Sequence, residues 1–168
     1  MSTDPANIES PSPWPDVDSK AIAFLLDVRD DFEAKLLRDW VEAERPETAT
    51  PHYSFVRLPK GHGGHLLADL KAQGKESRIQ PLRIAWLPSA RRTGSVSVQD
   101  LFAGRISETG SLRRRWLAKH RPHRIAYIVG DGAKLGELRE RLCDDDTVVS
   151  KEELSEFITS QALIALER

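Results

Sequence analysis

Six consecutive apolar residues, Ala21-Ile22-Ala23-Phe24-Leu25-Leu26, constrain this chain more than any other feature. A run this short, extending to Val28, suits a strand that is buried on both faces rather than one that borders water. The next segment has a different period. Asp30 with Glu33 three residues later resembles a helix N-terminal capping pair. Phe32, Leu36, Leu37, Trp40 and Val41 then recur at helical spacing, which predicts an amphipathic helix over residues 30–44. Pro46, Thr48 and Pro51 end it, and Tyr53 to Leu58 reads as a second strand, stopped by Pro59. The segment is therefore a strand–helix–strand unit.

The same alternation continues downstream. Lys60 to Gly64 is a Gly-rich loop, and Leu66, Leu67 and Leu70 suit a short helix that Gly74 ends. Leu82 to Leu87, between Pro81 and Pro88, reads as a strand. Residues 89–97 are polar, and Val98 to Ala103 is too short to assign. A basic helix over Leu112 to Lys119 stops before Pro122, a strand runs from Arg124 to Val129, and Leu135, Leu138 and Leu142 support a helix over 133–142. Asp144 to Asp146 form an acidic turn, Thr147 to Val149 suits a short strand, and Ser150 with Glu153 makes a capping box for a last helix carrying Leu154, Phe157, Ile158, Ala162 and Ala165. That helix reaches Arg168 with no glycine, asparagine or proline stop, so it reads as continuing; fraying at a natural end is the other reading. Strands alternating with helices predict an α/β fold with a mainly parallel sheet and helices packed on it. Residues 1–19, with Pro5, Pro11, Pro13 and Pro15 among Ser and Asp, read as a disordered leader with an exposed Trp14, and 20–168 as a single domain.

Bulk numbers exclude several classes. With 39% hydrophobic and 30% charged residues, the composition is that of an ordinary globular domain. A net charge of −1 gives no global field for nucleic acid or membrane, so any such attraction must be local. The single cysteine, Cys143, has no disulfide partner and lacks company for a zinc site, which points to a reducing, cytoplasmic setting. Met1 to Ser19 is acidic and lacks the apolar centre of a signal peptide. No apolar run approaches the roughly 20 residues of a membrane-spanning helix.

Three constellations are candidate sites. Gly130-Asp131-Gly132-Ala133-Lys134-Leu135-Gly136 places glycines between a strand and a helix, where backbone N–H groups and a helix N-terminus can hold a phosphate. Its G-x-G-x-x-x-G spacing relaxes the dinucleotide fingerprint, and Asp131 puts a negative charge where the phosphate would sit. The candidate phosphate-binding residues are Gly130, Gly132 and Lys134, against a plain tight β–α turn. The second is the run Arg113, Arg114, Arg115, Lys119, Arg121 and Arg124, interleaved with His120 and His123: six cations within twelve residues. An anionic bilayer attracts such a patch by roughly 1 kcal/mol per cation that reaches it. Nucleic acid fits less well, because only Trp116 is available for stacking. The bland alternative is a solvated helix face paired with nearby acids. The third, His62-Gly-Gly-His65 with His52 upstream, has no carboxylate or thiolate nearby to complete a metal shell, and reads as a loop. No nucleophile stands out: there is no G-x-S-x-G elbow, and the three aspartates beside Cys143 disfavour its thiolate. Neither a metal nor a cofactor is expected.

Several stretches, taken in order, resemble the N-terminal region of bacterial membrane-associated glycerol-3-phosphate acyltransferases, particularly the actinobacterial type. They are Ala21–Val28 with Asp39-Trp40-Val41, Val56-Arg57-Leu58-Pro59, Arg83-Ile84-Ala85-Trp86-Leu87-Pro88 and Leu101-Phe102-Ala103-Gly104-Arg105. Arg121-Pro122-His123-Arg124-Ile125-Ala126, Gly130 to Arg139, and Phe157 to Arg168 complete the set. The likeness spans about residues 20–168. It implies an activity that moves an acyl chain from acyl-CoA or acyl carrier protein to the 1-position of glycerol 3-phosphate, on the inner face of the cytoplasmic membrane. In that family a histidine acts as general base on the glycerol hydroxyl, and an aspartate separated from it by four residues orients it. This chain departs there. Five positions beyond His52, His62, His65, His120 and His123 stand Arg57, Leu67, Leu70, Ile125 and Ile128, none of them acidic. The resemblance thus implies a non-catalytic domain that precedes an acyltransferase catalytic domain and docks it at the membrane. No catalytic residue can be carried over. The expected partners are that catalytic domain and an anionic membrane surface, not nucleic acid. The alternatives are a small nucleotide-binding module at Gly130/Gly132 and a stand-alone interaction protein working through residues 113–124.

Overall fold

A computed structural model of the chain describes residues 11–15, 21–47, 51–60, 66, 70, 74–87, 110–142 and 150–168. Strand β1 (Ala21–Asp27) is followed by helix α1 (Asp31–Ala43), β2 (His52–Arg57) and β3 (Arg78–Trp86). Helix α2 (Ser111–His120), a 3-10 turn at Pro122–Arg124, β4 (Ile125–Val129), β5 (Ala133–Lys134), α3 (Leu135–Leu142) and α4 (Lys151–Ala165) complete the order. The fold is α/β, with a mostly parallel mixed sheet and helices packed on it. Its strands lie in the order β2-β1-β3-β4, with β5 also on β3. β1 pairs in parallel with both β2 and β3, whereas β4 and β5 run antiparallel to β3.

The run at 21–26 becomes the inner strand because both of its faces are apolar. Ile22, Phe24 and Leu26 point to one side, where Leu37, Trp40 and Val41 of α1 and Leu117 of α2 cover them. Ala23 and Leu25 point to the other, against Leu66, Leu70, Leu135 and Leu138, with Ile158 and Ala162 of α4. The result is three layers: helix, sheet, helix. Leu66 and Leu70 are both helical and fully buried, as their spacing predicts.

Helix signals operate largely as the sequence suggests. Asp30 caps α1, its Oδ1 accepting the Glu33 amide at 3.0 Å. The Glu33 carboxylate, however, accepts the Arg29 amide at 2.8 Å instead of closing a box on Asp30. At α4 the capping box is complete, with Ser150 and Glu153 bonding reciprocally at 3.2 and 2.9 Å. Those bonds hold the Glu153 carboxyl below its usual range. The last helix stops at Ala165 rather than running on to Arg168: Leu166 is the cap residue, its N–H returns to Ala162 O, and its side chain is buried.

Three expectations differ from the structure. β3 begins at Arg78, so Pro81 lies inside the strand rather than before it. Residues 133–134 belong to a short strand, not to the helix after it. Trp14, expected to be exposed, is buried at 7% relative exposure. Its indole packs edge-on against Phe24 and Tyr53 (centroids 5.2 and 5.3 Å), and its Nε1–H donates to Val41 O at 2.9 Å. An indole needs both an apolar wall and an acceptor, and the end of α1 supplies the acceptor beside that wall. Among the described residues no helix is long and apolar enough to cross a membrane.

Trp14 thus anchors a proline-rich segment onto the domain. Trp14→Ala should lower unfolding stability by about 3 kcal/mol, in the range for large-to-small core changes. Urea unfolding followed by far-UV circular dichroism checks it, and a change under about 0.5 kcal/mol would mean the segment contributes nothing.

Candidate functional site

The two described constellations sit on opposite layers of the molecule. The Gly130–Lys134 turn comes after β4, beside α3 and α4; the basic run occupies α2 and the 3-10 turn on the α1 side.

The glycine turn proves to be a β-bulge. Val129 pairs with Leu82 and Ala133 with Ile79, so three residues (130–132) face only two on β3 (80–81). Pro81 is tolerated inside β3 for this reason. Its carbonyl accepts from Gly130 N at 2.9 Å, so the side on which proline lacks an N–H is the interrupted, bulged side. Gln80, 4% exposed, donates from Nε2 to Gly130 O and braces the bulge from inside. The glycines are required by contact: a Cβ on Gly132 would lie 2.9 Å from Ile79 O and 2.5 Å from Gln80 Oε1, and one on Gly130 would lie 3.0 Å from the backbone of Ala165. These glycines admit a neighbouring strand and helix.

Several amides that could serve a phosphate are also engaged. Leu135 N and Gly136 N, at the start of α3, donate to Ser77 O and Lys75 O, both at 2.9 Å. Lys134 turns to Glu76 (Nζ–Oε2 2.9 Å), a hydrogen bond that raises the lysine pKa. The packing favours the plain turn over the candidate cradle of Gly130, Gly132 and Lys134: α3 packs its own N-terminus onto the 75–77 turn, and Lys134 has an acidic partner. Beside the bulge a cleft of about 310 Å³ opens between α3 and α4, with Asp131, Arg141, Gln161 and Arg168 among its lining residues. It is a mixed-charge groove with no imidazole among its described lining residues.

The basic run divides. Arg114 points inward, 7% exposed, and joins an ion-pair cluster. Its Nη1 donates to Glu33 Oε1 at 2.7 Å and its Nη2 to Asp30 Oδ2 at 2.8 Å. Glu33 Oε1 also accepts Trp86 Nε1–H at 3.0 Å. One guanidinium thus joins α2 to the N-terminus of α1 and the end of β3. The carboxylates are satisfied locally, since every oxygen of Asp30 and Glu33 has a donor, while Arg114 Nε is buried with no hydrogen-bond partner among the described residues. Arg114 is accordingly corrected from a surface cation to a structural one. Arg124 is half-buried and bonds Leu87 O through Nε at 3.0 Å, while Leu87 N returns to Arg124 O at 2.8 Å. Arg113, Arg115, Lys119 and Arg121 remain exposed, with His120 and His123. Arg115 also lies over the Phe32 ring, 5.6 Å from its centroid.

His52, His120 and His123 are all exposed, and His120 sits against Trp116 (centroids 5.2 Å). No cluster of three or more His, Cys, Asp or Glu able to hold a metal occurs among the described residues. His62, His65, Cys143 and the Leu101–Arg105 stretch lie outside the described residues. Sequence reasoning missed the Glu33–Arg114–Trp86 cluster and the brace of Gln80. A glutamine and a proline side by side in an apolar strand were the available signal for the second.

No protein-family model and no solved structure matches this chain.

Two stability measurements test this geometry. Arg114→Ala strands the buried Glu33 carboxylate and should cost about 3–5 kcal/mol, whereas Arg114→Ala with Glu33→Gln should cost clearly less than the sum of the singles. A double-mutant cycle by chemical denaturation measures this, and additivity would refute the pairing. Gly132→Ala should lower stability by about 1–3 kcal/mol through its clash with Ile79 O; unchanged urea unfolding would show that the contact relaxes freely.

Proposed function

We propose that this chain is a non-catalytic scaffold domain of the kind that forms the N-terminal region of bacterial glycerol-3-phosphate acyltransferases, positioning an acyltransferase catalytic domain at the membrane. One observation carries the reading: the described stretches that resemble the family serve packing rather than chemistry. Arg83 to Leu87 lies in and just beyond β3, Arg124 clamps the end of that strand, Gly130 and Gly132 let β3 and α4 approach, and Phe157 to Ala165 is the helix that seals the second layer. Residues used in this way build a shape, and a shape without an acid–base pair at the family's spacing suits a positioning role.

The chemistry agrees. Acyl transfer to a hydroxyl needs a base within hydrogen-bond reach of the nucleophile and a group to orient that base. No histidine in the sequence has an acid at the family's spacing, and the described histidines lie on the surface. A nucleotide-binding role has less support, since the amides of Gly130, Leu135 and Gly136 already bond protein carbonyls.

The purified chain, given glycerol 3-phosphate and acyl-CoA, should form no lysophosphatidate above a protein-free control. Joined to a glycerol-3-phosphate acyltransferase catalytic domain, it should raise the fraction of that domain that sediments with anionic vesicles. Turnover by the chain alone would refute the non-catalytic reading; no gain in sedimentation would refute the positioning role.

A further inference from the structure

The exposed face of α2 combines two properties that rarely coincide on a folded domain. Leu112 is 80% exposed and Trp116 53% exposed, two of the largest apolar side chains left open to solvent among the described residues. They stand four residues apart, hence one above the other on a single helix face. Around them, Arg113, Arg115, Lys119 and Arg121 are exposed, and none has an ion-pair partner among the described residues. From Thr109 to Gly130 the sequence holds no aspartate or glutamate. Among the described residues, the carboxylates that meet this helix, Asp30 and Glu33, are occupied by Arg114 and lie beneath it, so they do not neutralise the outer face.

We infer that α2 is an interfacial membrane helix, lying flat on an anionic bilayer with Leu112 and Trp116 inserted at the headgroup–acyl boundary. Its cations meet the lipid phosphates. The inference deepens the positioning role proposed above and rests on it for its setting; the surface chemistry is that of α2 alone. The argument for lipid over a protein partner is the shape of the patch. Two large side chains ringed by long, flexible cations make too small an apolar area for a stable protein interface, which needs a buried core of many residues. The same arrangement matches what a bilayer surface takes: an apolar edge sunk a few ångströms, an indole at the polar boundary, and arginine or lysine stems reaching back to phosphate. Arg114 turns inward and fixes the rotation of the helix, so the apolar pair faces outward in the folded domain.

The protein supplies its own reporter. Of its four tryptophans, Trp14, Trp40 and Trp86 are at most 8% exposed, so a change in emission on membrane contact reports Trp116. The full chain is mixed with vesicles of phosphatidylcholine alone or with phosphatidylglycerol added. With anionic vesicles, emission should shift to the blue, bromine-labelled lipid should quench it, and the protein should sediment; none of this should happen with pure phosphatidylcholine. Leu112→Ser with Trp116→Ser should weaken sedimentation by about tenfold, because the electrostatic half of the attachment alone is marginal. Arg113→Glu with Lys119→Glu should abolish it. Both pairs alter exposed positions, and matching circular dichroism confirms that the fold is retained.

Sedimentation that ignores Leu112 and Trp116, or that is equal on both vesicle types, overturns the inference. So does protection of Trp116 only when an acyltransferase catalytic domain is added, which would assign the ridge to a protein. If vesicle binding fails while a fused catalytic domain is still drawn to membranes, the ridge is wrong and the positioning role stands. If α2 binds vesicles yet has no effect on a fused catalytic domain, the positioning role is wrong and the ridge stands.

Discussion

A strand that is apolar on both faces cannot border water on either, and that constraint on β1 organises the whole domain. It forces β1 into the sheet interior between β2 and β3, and it demands a covering layer on each side. α1 and α2 meet the demand on the Phe24 face; α3 and α4 meet it on the Leu25 face. Every functional candidate inherits its position from this division. The basic ridge lies over one layer and the mixed-charge cleft between the helices of the other, so they cannot form one site. The burial that drives the arrangement is non-directional; the polar contacts decide where each covering helix comes to rest.

Two such contacts set the local geometry. On the first layer, Glu33 collects the Arg29 amide, the Trp86 indole and the Arg114 guanidinium, tying three elements to one buried carboxylate. Buried ion pairs add little net stability over apolar replacements, and their use is to specify arrangement. Here the specification has a consequence at the surface, because Arg114 fixes which side of α2 faces outward. On the second layer, the bulge at 130–132 bends the β4–β5 ribbon so that α3 starts against the 75–77 turn and α4 ends against Gly130. A glycine motif that in one dimension allows either a phosphate loop or a plain tight turn is in three dimensions a joint between a strand and two helices.

The legible parts of the sequence were those with a strong local period or a local bond. The apolar run of β1, the 3.6-residue spacing of α1, the Ser150–Glu153 box of α4 and the end of β2 before Pro59 all appear close to where their patterns place them. The outward cations Arg113, Arg115, Lys119 and Arg121 were legible as a cluster. The inward direction of Arg114, one residue from two of them, was not. A helix with cations at consecutive positions gives no local sign of which one finds a carboxylate; that depends on where α1 lies. Pro81 looked like a boundary because proline lacks a donor, yet it sits inside β3 because the opposing ribbon has a bulge on that side. Trp14 looked exposed because its neighbours cannot pack, and it is buried because Val41 O and the Phe24–Tyr53 wall are available far along the chain.

By itself the sequence determined the alternation of elements and the double-sided burial of the first strand, since these depend on residue type and short-range order. Only the tertiary structure decided which of the clustered charges is structural, why two glycines flank Asp131, and which apolar side chains remain at the surface. Those outcomes depend on contacts between residues dozens of positions apart, as with Arg114 and Glu33 or Gly130 and Gln80, and no local pattern encodes the identity of a distant partner.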